Sequence, residues 1–429
     1  MDKPVFLLIF CAALLVLLFI AGVIEKKRND KNLKKLKLTI NVNGIRGKST
    51  ATRLITSVLW AAGYRAVGKT TGTASRMMYW DTDEEEEVIR RPHGVTISEQ
   101  IRVIDKAANC GANALVCECM AVRPEYQRIY QHNIIHANIT VITNVLEDHI
   151  DEMGPTTEQI AWAFGDTIPY NGIVVIPGCG EGSEFRDYFH KVAAERNTKV
   201  FEADDNLITP EFLAKFDYEI FPRNCSVALA VADALGIDRE VAFEGMLKAH
   251  PDPGALRIYE LKHGDDEFVL ANAFAANEPT SSFDIYNIVR ERYGAYADNP
   301  LIIMNCRPDR VDRTKQFVVD FFPKIPNATL IGMGQNTGYI RAAYKKHKLS
   351  NLEEYIDLDR VEPETVLDTI APLLKGRVVI CVGNIHGFGY PLLEALLEYG
   401  GHTDESISDA PPEENASSHV VLNEEDPLQ

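Results

Sequence analysis

Residues 41–50 read NVNGIRGKST, and this stretch decides how the rest of the chain is interpreted. The β-branched run LKLTI precedes it and the helical pattern ATRLITSVLWAAG follows it. Gly44 and Gly47 give the backbone freedom to turn, and Lys48, Ser49 and Thr50 open the helix. A strand, a glycine loop and a helix N-terminus together bind phosphate, because backbone N–H groups face its oxygens. The stretch predicts a nucleotide site in which Lys48 reaches the terminal phosphates and Ser49 coordinates Mg²⁺.

The composition is that of a globular chain long enough for two substantial domains. Its 429 residues are 46% hydrophobic and 25% charged. The eight cysteines include no CxxC pair and most lie in apolar runs, so we expect reduced core thiols. Metal ligation by Cys117 and Cys119 is a minor alternative. The formal net charge of −18 argues against nucleic-acid binding, which requires a surplus of Lys and Arg.

The N-terminus carries a stretch long enough to cross a membrane. Residues 4–24 contain no charged side chain and as a helix would span roughly 30 Å. Seven Lys and Arg residues follow within residues 26–37, whereas only Lys3 precedes the stretch. The positive-inside rule therefore predicts a single-pass protein of the cell membrane, with its N-terminus outside and its body in the cytoplasm. A cleavable signal peptide is disfavoured by the length of the run.

Short β-branched runs alternate with helical stretches after the basic segment, as is typical of parallel α/β sheets. A first set of predicted strands and one helix precedes the Pro/Gly break HPDPGALR at residues 250–257, which predicts a domain boundary. That set comprises strands at 38–42, 114–119, 139–143, 172–176 and 199–201, and a helix at 226–237. The second set comprises strands at 267–270, 301–304, 328–331 and 377–382, and helices at 312–322 and 391–399.

We therefore expect five regions along the chain. They are a transmembrane anchor (1–25), a basic juxtamembrane linker (26–37), an ATP-binding central domain (38–250), a smaller C-terminal α/β domain (251–401) and a disordered tail (402–429). The tail holds eight acidic residues, three prolines and no Lys or Arg, which is typical of disorder.

Two more segments follow predicted strands of the central domain. Glu118 stands in the otherwise apolar run LVCECMAV, and residues 142–154, ITNVLEDHIDEMG, place Asn144 and His149 after the next strand. Parallel strands gather ligands beyond their carboxyl ends, so both segments are expected beside the phosphate loop. A buried carboxylate needs a cation or metal as partner. Alone, Glu118 is explained by an ion pair and the acidic loop by solvation, whereas their combination favours a site.

The predicted second domain carries a cluster of cations. Residues 305–317, NCRPDRVDRTKQF, contain Arg307, Arg310, Arg313 and Lys315. Helical spacing would place Arg310 and Arg313 on one face, suited to phosphate or carboxylate groups, although a solvated basic face is equally compatible. Residues 381–389, CVGNIHGFG, read as a strand entering a glycine-rich loop, for which a plain turn is also open.

The order of these segments resembles the Mur ligase superfamily of ATP-dependent amide ligases. NGIRGKST is similar to that family's TGTNGKTT loop, which explains why Val42 stands where a Walker loop has glycine: the shorter GxxGK[ST] form begins at Gly44. NVLEDHIDEMG is similar to the N-x-x-x-DH-x-D segment, and Glu118 matches the acid on the preceding strand. NCSVALAVADALGI resembles the Asn-led helix whose asparagine, here Asn224, contacts adenine.

Within the superfamily, residues 1–400 resemble the poly-γ-glutamate synthase ligase subunits of the CapB/PgsB type. The resemblance lies in YRAVGKTTGTASRMMYWDT, ECMAVRPEYQ, DTIPYNG, PDPGALRI, IIMNCRPDRVDRTKQF and VGNIHG, and in the single N-terminal anchor. It implies a Mur-ligase-like P-loop central domain with a Rossmann-like C-terminal α/β domain. It also implies an enzyme that polymerises glutamate through γ-carboxyl amide bonds for a capsule or secreted polymer. Other membrane subunits of a synthase and export complex are the implied partners, and a homo-oligomer is left open.

The resemblance also implies the cofactors and the site residues. The cofactors are ATP and Mg²⁺, with Mn²⁺ as an alternative. Catalytic roles are implied for Lys48, Glu118 and His149, and metal ligation for Ser49, Thr71, Glu118 and His149. ATP binding is implied for Gly44, Ile45, Arg46, Gly47, Lys48, Ser49, Thr50, Asn224, Arg310 and Arg313. Arg46 replaces the family's usual asparagine, and either adds a cation beside the phosphates or points to solvent.

Two departures from the wider Mur pattern narrow the substrate. The lysine that many Mur ligases carbamylate is missing, and Ala163 stands near its position. There is also no room before Leu38 for a domain that binds nucleotide-sugar peptides. Both favour a free amino-acid polymer over UDP-linked substrates. Two alternatives stay open, namely a membrane-tethered nucleotide-switch ATPase of an export complex and a folylpolyglutamate-like ligase.

Overall fold

The computed structural model describes residues 3–71, 75–88, 96–147, 150–216, 218–252, 255–274 and 278–402. The chain divides into two compact units, Met1–Asp252 and Pro253–Gln429. This division falls inside the Pro/Gly break. The predicted acidic tail lies outside the described residues from position 403 onward.

The N-terminal helix α1 extends over Lys3–Leu33, well beyond the apolar stretch. Its segment Leu7–Leu33 is, by length and composition, able to cross a membrane, and its most apolar part is not buried against the protein. The basic segment expected to be a linker is helical up to Leu33. Lys, Arg and Glu are good helix formers, and the buried side chains of Asn29 and Asn32 fasten these last turns to the body.

The first unit is built on an eight-stranded sheet in the order β4-β3-β2-β5-β1-β6-β7-β8. Strands β2, β5, β1, β6, β7 and β8 are parallel. All of these except β2 were predicted from the sequence, and the antiparallel edge formed by β3 and β4 was not. The strands are β1 Leu38–Asn43, β2 Ala66–Lys69, β3 Arg76–Met78, β4 Glu86–Glu87, β5 Ala114–Glu118, β6 Ile139–Ile142, β7 Ile173–Pro177 and β8 Lys199–Ala203.

Helices connect these strands, and one helix changes from an α-helix to a π-helix along its length. Helix α4 continues without a break into a π-helix at Tyr130–Ile135. The helices after α1 are α2 Lys48–Ala61, α3 Glu99–Asn109, α4 Pro124–Ile129, α5 Ile150–Met153, α6 Thr157–Gly165, α7 Arg186–Glu195, α8 Pro210–Leu213, α9 Pro222–Leu235 and α10 Arg239–Leu247.

The second unit is a six-stranded sheet in the order β13-β12-β11-β14-β10-β9. All its neighbouring strands are parallel except the β9/β10 pair. The strands are β9 Arg257–His263, β10 Asp266–Asn272, β11 Leu301–Cys306, β12 Thr329–Gly334, β13 Glu354–Asp359 and β14 Val378–Val382. The helices are α11 Pro279–Tyr293, α12 Val311–Asp320, α13 Gly338–Lys345, α14 Pro363–Ile370 and α15 Gly389–Tyr399.

Alternation along the central strand β11 shows why this second sheet is covered on both faces. Ile302 and Met304 belong to one hydrophobic core, and Leu301 and Ile303 belong to the other. Successive side chains of a strand point to opposite faces, so a continuous apolar run requires helices on both sides. The α/β fold with two sheets that the sequence predicts is confirmed.

Candidate active site

The phosphate loop lies between β1, at the centre of the first sheet, and α2. Both glycines are required by their surroundings. Gly44 has a φ of +126°, and a Cβ there would clash with Thr143 Oγ1. Gly47 has a φ of +73°, and a Cβ there would clash with Asn224 Oδ1. A side chain at either position would therefore be strained and also collide with a neighbouring segment.

The loop is held by the two residues that follow β6. Asn144 Oδ1 accepts hydrogen bonds from the N–H groups of Ile45 and Arg46 at 3.1 and 3.0 Å. Asn144 Nδ2 and Thr143 Oγ1 both donate to the Arg46 carbonyl, at 3.1 and 2.7 Å. The sequence placed Asn144 beside the loop but did not reveal that it fixes the loop's shape. Its position directly after a buried strand was the available signal.

The helix N-terminus and its first residues follow the predicted arrangement. Lys48, Ser49 and Thr50 form the first turn of α2, where backbone N–H groups lack partners within the helix. Lys48 Nζ donates to the carbonyls of Gly44 and Ile45, at 2.9 and 2.8 Å, so the ammonium group lies over the loop. Ile45 is buried, and Arg46 is half-buried with its Nε out of solvent. Arg46 therefore does not simply extend into water.

Glu118, at the end of β5, is the buried carboxylate of this site. It is 3% exposed, and its strand pairs with β1. Its Oε2 accepts hydrogen bonds from Ser49 Oγ at 2.8 Å and from the Thr71 N–H at 2.7 Å. Both of these donors are neutral, so neither balances the negative charge of a carboxylate. The ion pair offered as the simpler explanation for Glu118 is not formed with any residue that the structure describes.

The donor set fits a hard divalent cation. The Glu118 carboxylate and the Ser49 hydroxyl are oxygen ligands of the kind Mg²⁺ prefers, and Mg²⁺ is often bound by one or two carboxylates together with substrate phosphates. Thr71 approaches Glu118 through its backbone, and the predicted ligation by its side chain stays a prediction. His149 lies outside the described residues. Among those residues no cluster of three or more His, Cys, Asp or Glu side chains is present.

Asn224 lies in the first turn of α9 and reaches the phosphate loop. It is 5% exposed, and its Oδ1 is buried without a hydrogen-bond partner among the described residues. An unsatisfied buried oxygen costs about 1–3 kcal/mol, which a donor on a bound ligand would recover. The structure places this atom against Gly47. The contact with adenine stays a prediction.

The arginines of the second unit are arranged differently from the prediction. Arg310 is exposed and ends a 3-10 turn, Pro308–Arg310, with φ −134° and ψ 41°, so it lies just before the α-helix that carries Arg313. Arg313 is half-buried and donates to the Gly383 carbonyl at 3.4 Å. Burial, together with repulsion from Arg310 and Arg307, lowers the pKa of Arg313 to about 10. An anion bound there would relieve this repulsion.

The two segments singled out in the second unit lie together. Asn305, near the end of β11, donates to the carbonyls of Asn384 and His386, the latter at 2.9 Å. The glycine-rich loop and the arginine segment therefore form one surface within this unit.

Two buried ionic groups beside the phosphate loop were not predicted. Lys69, at the end of β2, is fully buried and pairs with Glu99 at 3.0 Å. Arg53, one turn into α2, is 2% exposed and contacts Glu85 and Asp252. Lys69 and Arg53 both lie in segments that read as ordinary helix or strand, so nothing in the local pattern signalled their burial. Ala163, which stands near the position of the lysine that many Mur ligases carbamylate, is buried in α6.

Solved structures share this fold. One is the bifunctional folylpolyglutamate synthase/dihydrofolate synthase of Yersinia pestis complexed with AMPPNP and Mn ion. It has a TM-score of 0.60 and 16% identity, covering 87% of this chain and 92% of that chain. Another is E. coli FolC in complex with DHPP and ADP, with a TM-score of 0.59, 15% identity and the same coverage.

Residues 42–217 match the family described as Mur ligase middle domain. The fold is that of the Mur-type ligases, a class of ATP-dependent enzymes that form amide bonds.

Relatives at much higher identity refine this class. Residues 258–399 match the family described as poly-gamma-glutamate synthase CapB C-terminal domain. The chain is 50% identical over 383 residues to the capsule biosynthesis protein CapB of Bacillus anthracis, covering 89% of this chain and 81% of that protein. It is 49% identical over 393 residues to the PGA synthase CapB of Bacillus subtilis strain 168, covering 92% and 98%. The chain belongs to the CapB family.

Proposed function

We propose that this chain polymerises glutamate through γ-carboxyl amide bonds, using ATP to activate the carboxylate. The observation that carries the proposal is the Ser49–Glu118 pair beside a phosphate loop, in a chain about half identical to a PGA synthase over nearly its whole length. A carboxylate does not react with an amine at neutral pH, so it must first be activated. Phosphoryl transfer from ATP to the γ-carboxylate gives ADP and an acyl phosphate, and attack by an α-amine gives the amide and phosphate.

The residues of the first unit supply binding and charge stabilisation. The loop at 44–50 and the N-terminus of α2 bind the phosphates through backbone N–H groups. Lys48 neutralises charge on the transferring phosphoryl oxygens. Ser49 and Glu118 would hold Mg²⁺ or Mn²⁺, which supplies Lewis-acid stabilisation of the phosphates, and His149 is the expected third ligand. Asn224 contacts the nucleotide.

The second unit supplies cations for anionic substrates. Arg313, with Arg307 and Arg310 nearby, is suited to a carboxylate or phosphate group. A chain of net charge −18 must handle a polyanionic product. We propose that it binds only the growing chain end, at such local arginine clusters.

The chain is also proposed to work at the cell membrane. Helix α1 anchors it as a single-pass protein with the N-terminus outside and the body in the cytoplasm, because the basic residues follow the apolar segment. A single helix forms no export path, so other membrane subunits of a synthase complex are expected partners.

The test is ATP turnover by the purified full chain in lipid, with and without glutamate, together with detection of polymer. Glutamate should stimulate turnover, and Glu118→Gln and Ser49→Ala should each reduce it strongly and raise the Mg²⁺ concentration required. Glu125→Gln, which changes an exposed acid, is the control. Turnover that ignores glutamate would instead support the nucleotide-switch ATPase, and full polymer synthesis by Glu118→Gln would refute the assignment of the site.

A further inference from the structure

The last turns of α1 are fastened to the catalytic body by buried amides. Asn29, 4% exposed, donates through Nδ2 to the Ile134 carbonyl at 2.7 Å. Asn32, 5% exposed, donates to Asp105 Oδ1 at 2.8 Å. Arg28 adds a two-pronged ion pair with the same Asp105. A helix held at two neighbouring elements, α3 and the π-helix, cannot swing freely, so its direction fixes how the body is presented.

The contacts show that α1 runs parallel to α3. Arg28 and Asn32 meet Asp105, and Lys35, just after α1, donates to Asn109 Oδ1 at 3.3 Å. Residue numbers thus increase in the same direction along both helices. The N-terminal, apolar part of α1 therefore extends toward the end of the body at which α3 begins.

Helix α3 begins at the carboxyl edge of the sheet. Glu99, its first residue, pairs with Lys69, the last residue of β2. Gln100 accepts a hydrogen bond from the thiol of Cys117, near the end of β5, at 3.0 Å. This is the edge that carries the phosphate loop and Glu118.

Distances along the two helices bring the apolar segment to the level of this edge. Four residues separate Arg28 from Ile24, the end of the apolar stretch, which is about 6 Å along a helix. Six residues separate Asp105 from Glu99, which is about 9 Å. The hydrocarbon layer therefore begins close to the level of the first turn of α3.

We propose that an anionic lipid surface faces the carboxyl edge of the first sheet, so that the phosphate loop opens toward the membrane. The proposal rests on the anchoring of α1 put forward above. Helix α4 also begins at this edge, because Asn43 at the end of β1 donates to Gln127 Oε1 at 2.8 Å. Its start presents Arg123, 59% exposed, and Tyr126, 47% exposed. A cation and an amphipathic aromatic ring are the side chains that suit the headgroup layer.

The orientation has a consequence for the product. A polymer made at this edge leaves the enzyme beside the membrane rather than into bulk cytoplasm. Lys26 and Lys27 follow the apolar stretch directly and would attract both lipid headgroups and an anionic chain.

The test uses two spin labels on the continuous α4/π-helix of the full chain in nanodiscs. Cys11, Cys110 and Cys179 are first replaced, because Cys11 and Cys110 are exposed and Cys179 is half-buried, whereas the other cysteines are buried. Glu125→Cys places a label at the carboxyl edge, and Asn133→Cys places one at the opposite end of the same helical run. Both parent residues are exposed. The discs contain phosphatidylcholine, phosphatidylglycerol and a lipid with a Ni²⁺-chelating headgroup. The bound Ni²⁺ relaxes a spin label, and this effect falls with the distance between the ion and the label.

The label at position 125 should be relaxed severalfold more than that at position 133. Equal relaxation, stronger relaxation at 133, or no relaxation of either label in disc-bound protein would each overturn the proposed orientation. The double variant Asn29→Leu with Asp105→Lys should shrink the difference, whereas Asp187→Lys, an exposed acid on α7 with the same charge change, should leave it intact. Protein that does not enter discs would refute anchoring as well, while glutamate-dependent turnover in detergent tests the ligase activity separately.

Discussion

At the scale of single residues, Gly47 shows how the phosphate loop depends on a missing side chain. Gly47→Ala should weaken ATP binding, because the left-handed backbone is strained and the new methyl group displaces Asn224. Displacing a packed side chain costs about 1–3 kcal/mol, or roughly 5–150-fold in affinity. Titration with a fluorescent ATP analogue measures it.

A matched control exists at the other end of α2. Gly63, just past α2, also has a positive φ, of +83°, but a Cβ there meets nothing within 4 Å. Gly63→Ala should therefore lower the free energy of unfolding by about 1–2 kcal/mol and leave ATP affinity unchanged. Equal losses of affinity in both variants would show that strain, and not the contact with Asn224, is responsible.

The free thiols of Cys117 and Cys119, on either side of Glu118, are expected to be unreactive toward alkylating agents in the folded protein. Burial raises the pKa of Cys117 to about 11 and that of Cys119 to about 12. The thiolate is the reactive form, so at pH 8 iodoacetamide should alkylate the exposed Cys110 and spare both buried thiols. Mass spectrometry after digestion reads this out, and the urea-unfolded chain is the positive control. Rapid alkylation of Cys117 or Cys119 in the native protein, quenched by added Zn²⁺, would favour the metal-ligation alternative.

At the scale of elements, a ladder of buried amides joins the α4/π-helix to β1. Gln127 is bonded to Asn43, and Gln131 accepts from Asn41 Nδ2 at 3.0 Å. Asn43 Oδ1 in turn accepts from the N–H of Gly44 at 2.9 Å. The first of these pairs therefore sets the entry of the phosphate loop, and the second lies one step further from it.

Removing either glutamine should cost similar stability but different activity. Gln127→Leu and Gln131→Leu each leave a buried amide unsatisfied, which costs about 1–3 kcal/mol of unfolding free energy. Only Gln127→Leu frees Asn43, so its glutamate-dependent kcat should fall well below that of Gln131→Leu. Urea unfolding and steady-state kinetics are measured on the same preparations. A kcat that follows stability alone in both variants contradicts a positioning role for Gln127.

Helix α2 also ties two outlying segments to the nucleotide site. Arg53 donates to Asp252 at 2.9 Å and to Glu85 at 2.8 Å, so it connects the segment between β3 and β4 with the end of the first unit. Arg53→Met leaves these carboxylates without their partner, and breaking a buried pair costs about 3–5 kcal/mol. Arg53→Lys, which keeps the charge, should lose less. Urea unfolding at several pH values measures both.

The loss should depend on pH with a defined sign. Burial raises the pKa of Asp252, and Arg53 lowers it, so removing Arg53 raises it further. A carboxyl group whose folded pKa lies above its unfolded pKa contributes stability that is present at low pH and lost as pH rises through the folded value. Arg53→Met should therefore be less destabilising at pH 5 than at pH 8. The opposite trend would mean that Asp252 is not the group that responds.

The sequence predicted those elements whose side-chain pattern is set locally. The strands β1, β5, β11 and β14 are buried on both faces, so each is identified by a short, mainly apolar run that ends at turn or loop residues. The short edge strands β3 and β4 and the half-exposed β9 form by pairing with neighbours, which no local pattern encodes. The sequence predicts a linker after Ile24, because the partners that stabilise these helical turns, Ile134 for Asn29 and Asp105 for Asn32, lie about a hundred and about seventy residues away along the chain. Site residues on strand ends were predictable, whereas Arg53 and Lys69 depend on tertiary burial.

At the scale of the whole molecule, α1 has two parts with separate roles. The apolar part touches no core, whereas the turns from Arg28 to Leu33 are docked on the body. A chain that begins at residue 25 keeps the docked turns, and one that begins at residue 34 loses them. The two truncations therefore separate membrane attachment from stabilisation of the fold.

The chain from residue 25 should stay folded, retain glutamate-dependent turnover and leave the membrane pellet. Its basic turns should retain only a weak, salt-sensitive affinity for anionic vesicles, because charges near a surface are screened within about 8 Å at physiological ionic strength. The chain from residue 34 should unfold at a lower urea concentration, because the Ile134 carbonyl loses its buried donor. We expect its free energy of unfolding to fall by about 1–3 kcal/mol. Flotation with vesicles at low and high salt, with urea unfolding, measures both. Salt-resistant flotation of the chain from residue 25 would show that the body has a further apolar membrane contact, and equal stability of the two truncations would show that the docked turns do not stabilise the fold.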